Sequence, residues 1–155
     1  MVAKVVDSNV WVIMDDLQEK ACALVCVEWG SSFSNGEDKL AVDRSWKIIS
    51  EYRENIQKGG LAERYLNEFF SQPWERIEFV DIELDRDGIA LLPDSNLISD
   101  PSDRKFVAVA LRFEPPALII NATDTDWAKD HDKLATAGIT VQELCPAYIQ
   151  EKLKE

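Results

Sequence analysis

The residues best equipped for chemistry are acids, and they stand where apolar runs end. Asp7 closes the run from Val2 to Val6 and is followed by Ser8 and Asn9. Asp100-Pro101-Ser102-Asp103 precedes the apolar run from Lys105 to Leu111, and Asn121-Ala122-Thr123-Asp124-Thr125-Asp126-Trp127 follows the run that begins at Ala117. In an open parallel sheet, ligands gather at the carboxyl ends of the strands. A hard cation such as Mg²⁺ or Mn²⁺ takes several oxygen ligands, a few of them carboxylates and the rest water and substrate phosphate. The spacing therefore predicts a cation site built from Asp7, Asp103, Asp124 and Asp126, with Glu51 brought to the same edge by a helix. Such a site suits a metal-dependent nuclease.

Each acid also has a purely structural reading. Asp100 fits a helix N-cap, Pro101 the first helical position, and Asp103 the third, where a carboxylate complements the helix dipole. Asp124 or Thr125 can cap the helix that follows, and Glu51 can be a solvated helix residue. Asp7 is harder to explain this way. An ionised carboxylate beside a buried strand costs several kcal/mol unless it is paired or bound to metal. No lysine or arginine adjoins it in sequence.

The elements that must position these acids alternate between strand and helix. Strands are expected at Val2–Val6, Lys39–Val42, Arg76–Leu84 (as an edge strand), Ala117–Asn121 and Ile139–Leu144. Helices are expected from Leu17 to Trp29, capped by Asp15-Asp16, and from Arg44 to Lys58, capped by Asp43. In the second of these, Trp46, Ile49, Tyr52 and Ile56 form the buried stripe. Further helices are expected from Leu61 to Phe70, Lys105 to Arg112, Asp126 to Ala137 and Tyr148 to Leu153, with Gly30–Asp38 as a loop. Ala117–Asn121 is apolar on both faces, as a central parallel strand is. The pattern predicts one domain, a three-layer α/β/α sandwich with a mostly parallel central sheet.

The acidic stretches carry a family resemblance. Val5-Val6-Asp7-Ser8-Asn9-Val10-Trp11 resembles the opening of a PIN domain, whose first strand ends in Asp-Thr/Ser-Asn. Ile49-Ser50-Glu51-Tyr52, the stretch from Asp100 to Ala110 and the stretch from Ile119 to Trp127 are similar to its second, third and fourth motifs, in the same order. The resemblance spans Val2 to about Leu144, and the insertion from Leu61 to Pro93 lies outside its motifs. It implies a metal-dependent endoribonuclease in which Asp7, Glu51, Asp103 and Asp124 bind Mg²⁺ or Mn²⁺, with Asp126 as a helper. RNA is then the substrate, with Ser8 and Asn9 supporting the loop or the phosphate and Arg104 and Lys105 among the backbone contacts, together with Lys47 and Arg53. It also implies a toxin or RNA-processing role, an antitoxin protein as partner for a toxin, and a homodimer as a common assembly.

Composition bounds this reading. At 155 residues, with 46% hydrophobic residues and five tryptophans, the chain has the material for one good core. The net charge of −12 opposes a polyanionic partner, although it is uneven: Arg44 to Arg64 holds five bases against three acids. A bound divalent ion offsets part of an acidic pocket. Three cysteines without a CxxC pattern predict free thiols in a reducing cytosol, with Cys22 and Cys26 packed in the core, and hence a cytoplasmic location. No leader peptide or membrane span is expected.

Other signals are set aside. Glu83 to Asp94 imitates a calcium loop but has Glu at its first position and Asp at its twelfth, so a hairpin turn explains it better. His131, the only histidine, sits between two aspartates on a polar helix face. The Trp and Phe residues read as core rather than as base-stacking platforms. The alternative functions are a PIN-like binding module without catalysis and an aspartate-based phosphatase or receiver domain, whose full residue set the chain does not present.

Overall fold

The computed structural model describes residues 2–155. Five strands form one parallel sheet: β1 (Ala3–Val6), β2 (Lys39–Asp43), β3 (Ile77–Val80), β4 (Leu118–Asn121) and β5 (Val141–Glu143), in the order β3-β2-β1-β4-β5. Helices flank the sheet, giving the expected three-layer α/β/α sandwich. β1 sits at the centre, between β2 and β4, and pairs with β4 so that Val5 lies opposite Ile119 and Val6 opposite Ile120, all four fully buried. β3 is an edge strand as its alternating sequence predicts, and it is shorter than the run from Arg76 to Leu84. Chain order reverses between β1 and β4, so their carboxyl ends flank a cleft of the kind where open sheets bind ligands.

The helices depart from expectation near the start of the chain. α1 (Ser8–Ile13) begins directly after β1, capped by Asp7, whose Oδ1 accepts from the Asn9 amide at 3.3 Å. Asp15 caps no adjoining helix. Its carboxylate accepts from the amides of Leu61 and Ala62 at 2.9 and 3.2 Å, and so caps α4 (Leu61–Ser71) from across the fold. α2 runs from Lys20 to Asn35, straight through the predicted loop at Gly30. A Cβ at Gly30 would stand 2.4 Å from Met14 Cε, so this glycine serves close packing, not a chain break. The Arg76 guanidinium then caps the far end of α2, donating to the Phe33 and Ser34 carbonyls at 2.7 and 2.8 Å.

α3 (Lys47–Asn55) starts three residues later than predicted. Asp43 does cap it, Oδ2 and Oδ1 accepting from Lys47 and Ile48 amides at 2.8 and 2.9 Å. Ile49 and Tyr52 are buried as the stripe requires, but Trp46 is exposed, because the turn from Asp43 puts it in a left-handed conformation (φ 66°). α5 (Pro73–Arg76) is a single turn leading into β3. Asp85 accepts from the amides of Asp87 and Ile89, and Leu84 bridges to Ala90, so the calcium-like stretch is a hairpin turn.

A 3₁₀ turn (Pro101–Asp103), capped by Asp100 through the Ser102 amide at 2.9 Å, leads into α6 (Arg104–Ala110), which is buried from Phe106 onward. The predicted helix from Asp126 to Ala137 is split into α7 (Asp126–Lys129) and α8 (His131–Thr136). The break falls at buried Asp130, whose carboxylate is drawn to the Ser99 amide and hydroxyl at 2.8 and 3.0 Å. α9 (Pro146–Leu153) closes the chain.

The expectation of three free thiols is overturned. Cys22 at the start of α2 and Cys145 before α9 form a disulfide across 123 residues, a pairing that only the tertiary fold brings about. The argument for a reducing cytosol loses its support. Cys26 remains a buried thiol, its pKa pushed up to about 12 by burial. Among the described residues, no helix is long and apolar enough to cross a membrane.

Candidate metal centre

Three of the predicted acids converge at the switch point. Asp7 leaves β1, Asp103 ends the turn before α6, and Asp124 lies between β4 and α7, each offering one carboxylate oxygen within 4.8 Å of the other two. Asp7 and Asp103 are only 5% and 6% exposed, whereas Asp124 is half-buried. Asp126 joins Asp103 in a second, overlapping group completed by Asp100. Among the described residues, none of Asp7, Asp103, Asp124 and Asp126 forms an ion pair.

Two anions brought close out of water resist ionising. Burial is the largest influence on Asp7 and raises its pKa to about 7, with the Asp124 charge adding to it and hydrogen bonds from Trp127 and Asn9 opposing it. Asp103 is pushed to about 9, again chiefly by burial, then by the charges of Asp7 and Asp124. Its Oδ2 is buried and has no hydrogen-bond partner among the described residues. A hydrogen bond with Asp124 raises the Asp103 pKa further, and the crowded oxygens of the three carboxyl groups are a donor set that could hold a cation. The all-oxygen donor set fits Mg²⁺ or Mn²⁺ better than it fits zinc or copper.

Of the supporting residues, the sequence singles out Asn9, whereas it gives Trp127, Asn121 and Glu143 no role. The Trp127 indole N–H donates to Asp7 Oδ2 at 2.7 Å in a fully buried contact. Asn9 ties the two central loops together: its Oδ1 accepts from the Ala122 and Thr123 amides at 2.9 and 3.0 Å, and its Nδ2 donates to Asn121 Oδ1 at 2.8 Å. Asn121 in turn donates to the Asp124 carbonyl at 2.8 Å and to the Glu143 carboxylate at 2.9 Å. A buried amide ending an otherwise apolar strand, as in Leu118–Asn121, was the available signal. Asp124 is fixed further by the Asp126 amide, which donates to its Oδ1 at 2.9 Å.

Glu51 stands apart from the three aspartates. One of its oxygens accepts from the Ser8 hydroxyl, and the other pairs with Lys105 Nζ at 2.9 Å. Its charge still reaches Asp7 and contributes to the raised pKa there. Ser8 and Lys105 are thus engaged with Glu51, and the Lys105 ammonium also donates to the Ser102 carbonyl. Arg104 is half-buried, its Nε without a partner among the described residues. Arg53 lies over the rings of Trp46 and Phe70, at 5.4 and 5.5 Å. His131 is exposed, 3.3 Å from Asp132, and is outside the cluster. No protein-family model matches the chain, and no curated protein matches it.

Proposed function

We propose that this chain is a PIN-like, divalent-metal-dependent endoribonuclease, with RNA as its substrate. The observation that carries the reading is the meeting of Asp7, Asp103 and Asp124 at the sheet's switch point with no cationic partner. These three would hold Mg²⁺ or Mn²⁺, with Asp126 at the rim. When bound, such an ion supplies an activated water and offsets charge at a phosphodiester. The chain's own residues supply the frame. Trp127 fixes one oxygen of Asp7, Asn9 and Asn121 lock the loops after β1 and β4, and Lys105 offsets the charge of Glu51 next to the aspartates. The order of the four acidic motifs along the chain supports the family reading.

One observation favours a second reading, a PIN-like module that binds without cleaving: Glu51 is committed to Ser8 and Lys105, which leaves three acids where the family uses four. One assay separates the two. Labelled single-stranded RNA should be shortened in Mn²⁺, preserved in EDTA, and preserved by Asp7→Asn. Binding without any loss of full-length RNA would select the second reading. Cleavage that survives EDTA or Asp7→Asn would refute the first.

A further inference from the structure

Beside the carboxylates lies a cleft whose most unusual residue takes no part in holding a cation. Trp46 precedes α3 in a left-handed conformation, φ 66° and ψ 20°, which residues other than glycine, asparagine and aspartate rarely adopt. Strain of this kind concentrates at functional positions. Trp46 is 46% exposed, yet its indole is held in place by Phe79, ring centroids 6.4 Å apart, and by the Arg53 guanidinium 5.4 Å from the ring. It lines a cleft of about 450 Å³ together with Lys47, Glu54, Gly88, Glu51 and Lys105. Glu51, whose charge reaches Asp7, and Ser102, which precedes Asp103, both line it, so the cleft lies close to the candidate metal centre.

We propose that Trp46 is a stacking platform for one base of a single-stranded RNA, setting which phosphodiester reaches the aspartates; the proposal rests on the ribonuclease reading above. The cleft wall carries two lysines against two glutamates, so stacking and not net charge must supply the affinity there. Lys47 forms no ion pair among the described residues, and its Nζ would lie 2.9 Å from a Cβ at Gly88, which places the ammonium in the cleft mouth within reach of a backbone phosphate. A held indole with an open side suits a base because every base has a π-face, and only an unpaired strand can splay one out.

The test uses an end-labelled RNA of eight nucleotides and a set of the same strand with one base removed at each position, cleaved in Mn²⁺. The proteins are wild type, Trp46→Gly and Trp46→Phe. Glycine accepts the left-handed backbone, so it removes the ring without moving the chain. Trp46→Gly should raise KM roughly tenfold to hundredfold and change kcat far less, while Trp46→Phe keeps most of the affinity. Base removal should weaken the wild type at one position, and that same removal should cost Trp46→Gly nothing more. An unchanged KM in Trp46→Gly, or losses that add at every position, overturns the stacking role and leaves the nuclease standing. A wild type that cleaves no strand removes the nuclease reading and the stacking role with it. Should Trp46→Gly not fold, the base-removal scan on wild type and Trp46→Phe decides: one sensitive position is expected, and none would overturn the proposal.

Discussion

Asp7 and Asp103 have carboxyl groups whose folded pKa values, about 7 and about 9, lie above the unfolded value near 3.9. The folded chain therefore holds protons that the unfolded chain has released. Their contribution to stability is complete below about pH 4 and is lost as pH rises toward about 9. Melts in chelator should show Tm falling between pH 6 and 9, and a flat or rising profile would contradict the burial and crowding of these acids. Asp103→Asn removes the most strongly perturbed of them. It should abolish cleavage, flatten that pH profile, and stabilise the metal-free protein at pH 8 by about 1–3 kcal/mol, since the folded state then no longer has to take up a proton at this position. Trp127→Phe keeps a ring but deletes the N–H held at 2.7 Å by Asp7. Leaving that oxygen unpaired should cost about 1–3 kcal/mol in a denaturant melt. No change on Trp127→Phe would mean that Asp7 is held by other contacts.

Elements built from short apolar runs were legible, because a central parallel strand must be apolar on both faces wherever it occurs. Val5, Val6, Ile119 and Ile120 are such residues, and the aspartates stand out by interrupting them. Elements fixed by distant partners were not legible. Asp15 reads as a local cap and in fact serves α4 across 46 residues; Gly30 reads as a loop and in fact admits Met14; Trp46 reads as core and in fact lines the cleft. The Trp127–Asp7 bond, across 120 residues, leaves no local pattern either, and neither does the disulfide. The long-range cap is directly testable. Asp15→Ala should cost about 1 kcal/mol in a melt, within the range for a lost N-cap, and leave Mn²⁺-dependent cleavage unchanged. A loss of cleavage at full stability would place Asp15 in the site and not in the scaffold.

For the whole molecule, the topology explains why three acids far apart in sequence meet. β1 and β4 are neighbours at the point where strand order reverses, and the turn before α6 faces the same edge, so the loops carrying Asp7, Asp103 and Asp124 share one cleft. For a chain with a net charge of −12, a cation bound at these carboxylates would offset part of the repulsion toward a polyanion. Binding confined to the folded state stabilises it by RT ln(1 + [L]/Kd), so millimolar Mn²⁺ should raise Tm relative to chelator. The most direct test of the account is a titration of the protein with Mn²⁺, followed by the electron paramagnetic resonance of the free ion. Wild type should remove Mn²⁺ from solution at a site lost in Asp7→Asn and in Asp103→Asn but retained in Asp132→Asn, an exposed acid outside the cluster. Uptake that is absent from the wild type, or that persists unchanged in Asp7→Asn and Asp103→Asn, would show that these carboxylates do not form a metal centre.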